Sequence, residues 1–145
     1  LGLDQHWNVA IIGMGHLGAA LANYQGIARL GFRLAAIFDA NPVVIGTRVG
    51  ERRVEDIAYL AEIIAERDIR IGVIAVPAAA AQGIADQLVA AGIRGIWNFA
   101  PVSLQVPSHI PFVSEDLSVG LSALSYYLAH ASAEDEELSD KNSRN

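Results

Sequence analysis

Ile12-Gly13-Met14-Gly15-His16-Leu17-Gly18 decides how this chain folds. It follows an apolar run, Val9-Ala10-Ile11-Ile12, and opens an alanine-rich helical pattern, Ala19-Ala20-Leu21-Ala22. Strand, glycine turn and helix in that order are the context in which G-x-G-x-x-G reads as a dinucleotide fingerprint. Each glycine has its own task. Gly13 permits the tight turn out of the strand. Gly15 lacks a Cβ, so a pyrophosphate can approach the backbone. Gly18 lets the helix lie close on the sheet. The first-turn N–H groups and the positive end of the helix dipole then face the phosphates, with Met14, His16 and Leu17 as further candidate contacts.

The residues downstream support this reading. Arg33 to Phe38 forms a second apolar run that ends at Asp39, 21 residues past Gly18. That is near the spacing expected for a carboxylate holding the adenosine ribose hydroxyls. No Arg directly follows Asp39 to take a 2′-phosphate, which favours NAD(H) over NADP(H). The plainer alternative is a glycine turn that only joins strand to helix. The strand before the turn, the helix after it and the downstream acid together speak against it.

Farther along, strand and helix patterns alternate. The first helix is expected over His16 to Leu30, weakened by Gly26 and stopped by Gly31. Asn41-Pro42 turns the chain, and Val43 to Val54 reads as a short irregular ribbon. A helix is expected to begin at Glu55-Asp56 and to carry Ile57, Leu60, Ile63 and Ile64. Ile71 to Val76 reads as a buried strand closed by Pro77, and Ala78 to Ala91 as a helix ended by Gly92. Gly95 to Asn98 and Ile110 to Val113 are the last strands. The expected fold is α/β, a doubly wound, mainly parallel sheet with ligand at the C-terminal ends of its strands. Val76, Pro77, Asn98, Phe99, Ala100 and Pro101 occupy those ends and are the other candidate cofactor contacts. Prolines also simply terminate strands in proteins that bind nothing.

Asp116 to Ala131 is a helix of another kind. Leu117, Leu121, Leu124 and Leu128 recur at spacings of four, three and four, a narrow seam of the sort that packs on a partner helix. Ser118, Ser122 and Ser125 form a small-residue stripe beside it. A leucine seam left in water would be an exposed apolar patch, so a homodimer held by this helix is expected. Residues 1–131 are thus read as one domain that includes the helix at 116–131. The polar, aperiodic tail 132–145 is expected to be disordered.

Composition narrows the possible functions. A chain of 145 residues, 52 % hydrophobic and 18 % charged, suits one globular domain. It contains no cysteine, which excludes disulfides and Cys-ligated zinc and is compatible with a reducing cytosol. No apolar run reaches transmembrane length, and no signal peptide is visible. The net charge of −6 provides no basic face for nucleic acid, so any DNA contact is expected from another part of the protein. The chain begins at Leu1, as expected of a fragment. His16 has no paired acid–base group. His6, His109 and His130 show no metal spacing, and the serines lack a nucleophile elbow. No enzymatic activity and no metal are expected.

These pieces together resemble the C-terminal domain of the Rex family of redox-sensing bacterial repressors. The resemblance rests on Ile12 to Gly18, Ala22-Asn23-Tyr24, Ile37-Phe38-Asp39, Val76-Pro77 and Ala90-Ala91-Gly92-Ile93. It extends to Asn98-Phe99-Ala100-Pro101, Glu115-Asp116-Leu117 and Leu124-Ser125-Tyr126-Tyr127-Leu128. It covers about residues 7 to 130, and its Asn-Phe-Ala-Pro and Leu-Ser-Tyr-Tyr-Leu pieces are the most specific. The resemblance implies a Rossmann-type domain that senses NADH relative to NAD+ in a cytoplasmic homodimer. It implies that the C-terminal helix, beginning at Asp116, is exchanged between subunits. It also implies that operator DNA is bound by an N-terminal winged helix, which this chain does not carry. Two rivals remain open. One is the cofactor domain of a dehydrogenase. The other is a CoA-binding domain, which a Val-Pro turn and a following alanine-rich helix also fit.

Overall fold

The computed structural model describes residues 6–143, without the side chains of residues 117–120 and 132–135. Its described part divides after Glu115 into two compact units, so the helix that begins beyond Asp116 forms a unit of its own.

The first unit is built on β1 (Trp7–Ile12), β2 (Phe32–Asp39), β5 (Glu55–Asp56), β6 (Ile69–Ile74), β7 (Gly95–Asn98) and β8 (Phe112–Ser114). The strand order is β5-β2-β1-β6-β7-β8, and every neighbouring pair is parallel. Renumbered within the sheet, that is the 3-2-1-4-5-6 order of the dinucleotide-binding fold. A side hairpin, β3 (Arg48–Val49) with β4 (Arg52–Arg53), accounts for the irregular ribbon at 43–54. The order reverses at β1, whose neighbours β2 and β6 continue in opposite directions. A crevice opens at the C-terminal ends of β1 and β6 for that reason.

The helices are α1 (His16–Ala22), α2 (Gly26–Arg29), a 3₁₀ turn at Ile57–Tyr59, α3 (Leu60–Glu66), α4 (Ala78–Ala90) and α5 (Leu117–Ser143). The larger core joins the sheet to α3 and α4 through Ile12, Phe38, Leu60, Ile64, Ile74 and Leu88. Leu88 is fully buried, and its side chain fills the space above Gly72 that a Cβ would need. On the opposite face Val9, Ile11 and Val73 pack with Leu21, Phe32, Trp97 and Phe99.

Four expectations are corrected. The helix foreseen over His16–Leu30 is two helices. Asn23 ends α1 by donating from its side chain to the Ala19 carbonyl, and the Tyr24 ring lies where a Cβ on Gly26 would stand. Glu55-Asp56 is a short edge strand on β2 rather than a helix start, and Asp56 accepts from the Ala58 N–H to open the 3₁₀ turn instead. The third long strand covers 69–74, not 71–76. Ala75 still donates to the Ile12 carbonyl, but Val76-Pro77 has left the ladder. The tail expected to be disordered is helical to Ser143. Its Glu, Leu, Ala and Lys residues favour a helix without any apolar stripe, and Lys141 stands in the last turn where the dipole favours a cation.

Candidate dinucleotide-binding site

The site begins with a turn that only glycine can make. Gly13 sits at φ +102°, and a Cβ there would run into the Ala75 carbonyl at the end of β6. Its N–H donates to the Phe38 carbonyl of β2 at 2.8 Å, and the Ala75 N–H beyond β6 donates to the Ile12 carbonyl at 2.8 Å, so the turn is tied on both sides. A Cβ on Gly18 would collide with the Gly13 carbonyl oxygen, so α1 can pass this close to the turn only without one. Gly15 differs from both. A Cβ on it would meet nothing within 4 Å, which leaves open space above the backbone where a phosphate can approach. Gly15 is also the residue preceding α1, and no side chain caps that helix end.

Asp39 closes β2 and joins the turn. One carboxylate oxygen accepts the Met14 N–H at 2.7 Å, and the other accepts the Asn41 N–H at 2.8 Å. The carboxylate therefore clamps the glycine turn to the end of the neighbouring strand. Each oxygen retains a lone pair for a further donor, such as a ribose hydroxyl. Asn41 in turn accepts the Val43 N–H at 3.0 Å, which shapes the adjoining loop.

These residues border a cavity of about 570 Å³, a volume that suits a small-molecule ligand. Of the residues singled out in the sequence, Gly13, Met14, Gly15, His16, Leu17, Asp39, Val76, Pro77, Phe99 and Pro101 line it. Gly18, Asn98 and Ala100 do not. Gly18 is buried under the turn, and Ala100 is 2 % exposed. Asn98 is 0 % exposed and spends its carboxamide on the loop that follows β7. It donates to the carbonyls of Ala100 and Val102 and to Ser114 Oγ, and accepts the Ala100 N–H at 2.9 Å. Asn98 thus shapes the loop that brings Phe99 and Pro101 to the cavity.

Asn41, Val44, Ile57, Ala80 and Ile84 also line the cavity, and the sequence reading did not single them out. The Asn41-Pro42 turn immediately after Asp39 was the available signal for the first two. The cavity is chemically uneven. One end carries Asp39 and Asn41. The other is walled by Val76, Pro77, Phe99 and Pro101, and Phe99 is backed by the Trp97 ring at a centroid distance of 4.6 Å. Asp39 is the one acid among the described residues that line the cavity.

Among the described residues no helix is long and apolar enough to cross a membrane. Nor do any three His, Cys, Asp or Glu side chains among them gather as metal ligands would. Of the seam residues Asp116, Leu117, Leu121, Leu124 and Leu128, the Leu117 side chain lies outside the described residues. Leu121, Leu124 and Leu128 are 69 %, 59 % and 68 % exposed in the single chain, and Asp116 immediately precedes α5.

Residues 4–102 match the CoA-binding domain family. The chain is 45 % identical over 130 residues to the redox-sensing transcriptional repressor Rex of Clostridium perfringens, covering 90 % of this chain and 61 % of that protein. It is also similar to two solved structures of RSP, a Rex-family repressor. One, in complex with β-NADH, superposes with a TM-score of 0.84 at 40 % identity over 93 % of this chain and 66 % of that one. The other, in complex with β-NAD+ and operator DNA, gives 0.86 at 40 % identity over 93 % of this chain and 62 % of that one. The chain belongs to the CoA-binding domain family and, within it, to the Rex proteins, and it spans about three-fifths of the length of the Rex protein of Clostridium perfringens.

Proposed function

We propose that this chain is the NAD(H)-binding sensor domain of a transcriptional repressor, in which the cofactor is a signal rather than a substrate. One observation carries the reading: a glycine turn clamped by Asp39 opens onto a cavity whose far wall is apolar. The residues fit the cofactor. Asp39 would hold the adenosine ribose, the open backbone at Gly15 would take the pyrophosphate, and Val76, Pro77, Phe99 and Pro101 would receive the nicotinamide. Oxidised nicotinamide is cationic, and an apolar wall without an acid disfavours an unpaired charge. NADH should therefore bind more tightly than NAD+. A thousandfold preference corresponds to about 4 kcal/mol.

The relatives support a sensor over a dehydrogenase, since they are repressors. The family's description raises CoA as a rival ligand. CoA carries a phosphate on its adenosine ribose, and the Asp39 carboxylate would repel it. A titration with NADH in the presence of excess CoA tests the assignment. NADH should bind undisturbed. Displacement of NADH by that excess of CoA would overturn it.

In the whole protein, the domain is read as half of a cytoplasmic homodimer, joined through α5 with Asp116, Leu117, Leu121, Leu124 and Leu128 as contacts. The exposed leucines of α5 support that reading, because an apolar stripe left in water favours association. Operator DNA is read as bound by an N-terminal winged helix of the whole protein, and NADH binding as the event that releases it. No metal and no membrane take part.

A further inference from the structure

Asn98 is the one polar side chain among the described residues that is fully buried, at 0 % exposure. A buried carboxamide is tolerated only when it is hydrogen-bonded, and this one is bonded on both sides. Its partners also fix which way it points. Nδ2 faces the Ala100 carbonyl at 3.1 Å and the Val102 carbonyl at 3.3 Å, whereas Oδ1 faces the Ala100 N–H at 2.9 Å. The third acceptor, Ser114 Oγ at 3.3 Å, is different in kind. It stands on β8, opposite Asn98 in the ladder, and is the last residue of that strand. The Asn98 carbonyl accepts the N–H of the next residue, Glu115, at 2.8 Å.

One residue therefore holds two things. Through the 98–102 loop it sets Phe99 and Pro101 against the cavity. Through Ser114 and Glu115 it grips the segment that leads into α5. The two Nδ2 hydrogens serve three acceptors, Ala100 O, Val102 O and Ser114 Oγ, so one hydrogen is shared.

We propose that Asn98 is a positioning residue for the nicotinamide end of the cofactor, and that its bond to Ser114 on β8 holds the cavity wall in place. The proposal rests on the assignment of NAD(H) to the cavity. Ser114 is exposed, so Ser114→Ala leaves the fold intact and removes one bond. Calorimetry should show the NADH-over-NAD+ preference falling about three- to tenfold, the range for one hydrogen bond. ADP-ribose, which lacks the nicotinamide, should bind within twofold of the unmodified protein, and Ser114→Thr, which keeps the hydroxyl, should restore the preference.

Amide exchange of Ala100 in cofactor-free protein provides a second readout that needs no ligand. It should quicken several-fold in Ser114→Ala. If the unmodified protein fails to bind NADH, the sensor assignment falls, and unchanged Ala100 exchange would still separately refute the grip of Ser114 on the loop. Unchanged preference in Ser114→Ala overturns the proposal. So does an equal loss for NADH, NAD+ and ADP-ribose, which would mark a merely structural role.

Discussion

The two oxygens of Asp39 accept the N–H groups of Met14 and Asn41, so the residue shapes the glycine turn before any ligand arrives. Asp39→Asn keeps the size but loses the charge and leaves only one acceptor for two N–H groups. NADH affinity should fall roughly ten- to a hundredfold, since hydrogen bonds to charged groups contribute about 1.5–3 kcal/mol. The preference over NADPH should shrink too, because the repulsion of a 2′-phosphate is removed. Calorimetry with both cofactors checks this, and an unchanged NADH affinity would remove Asp39 from the site. The glycines give a paired test. Gly15→Ala meets no atom and has an allowed backbone, so thermal stability should change by less than about 1 kcal/mol while NADH binding weakens at least tenfold. Gly18→Ala places a methyl group on the Gly13 carbonyl and should lower both stability and binding. Melting curves and titrations of the two variants should separate in that way. The sequence displayed the types and spacing of these residues. It could not display that Asn98 turns inward, because strand-end position predicts where a ligand lies and says nothing about which side chain a loop's own carbonyls will claim.

The strands β1, β2 and β7 and the helix α4 were legible because apolar runs bounded by Gly, Pro and Asp leave little choice. The discrepancies arose where a local hydrogen bond outweighs periodicity. The Asn23 side chain stops α1 inside an alanine-rich pattern, and Asp56 directs its carboxylate to the Ala58 N–H so that a strand passes straight into a 3₁₀ turn. The tail failed for the opposite reason. A segment without an apolar face reads as disordered, but 132–143 prolongs a helix already begun at Leu117 and so avoids the cost of nucleation. The leucine seam of α5 carries its own test. Leu121, Leu124 and Leu128 are exposed in the single chain, so Leu121→Asp combined with Leu124→Asp should convert dimers to monomers or to aggregates. Sedimentation velocity distinguishes these species, and an unmodified protein already monomeric at micromolar concentration would contradict a dimer held by α5.

Taken whole, the molecule places a cofactor-sized cavity at the reversal of a parallel sheet, gives one end a carboxylate and leaves the other apolar. In the proposed sensor that polarity would discriminate the two redox states of the cofactor, which differ by a positive charge on the ring assigned to the apolar wall. The measurement that bears most directly on this account is isothermal calorimetry of the same protein with NADH and with NAD+ at one pH and ionic strength. The account predicts that NADH binds at least a hundredfold more tightly, a difference of about 2.7 kcal/mol. Equal affinities for the two would contradict it.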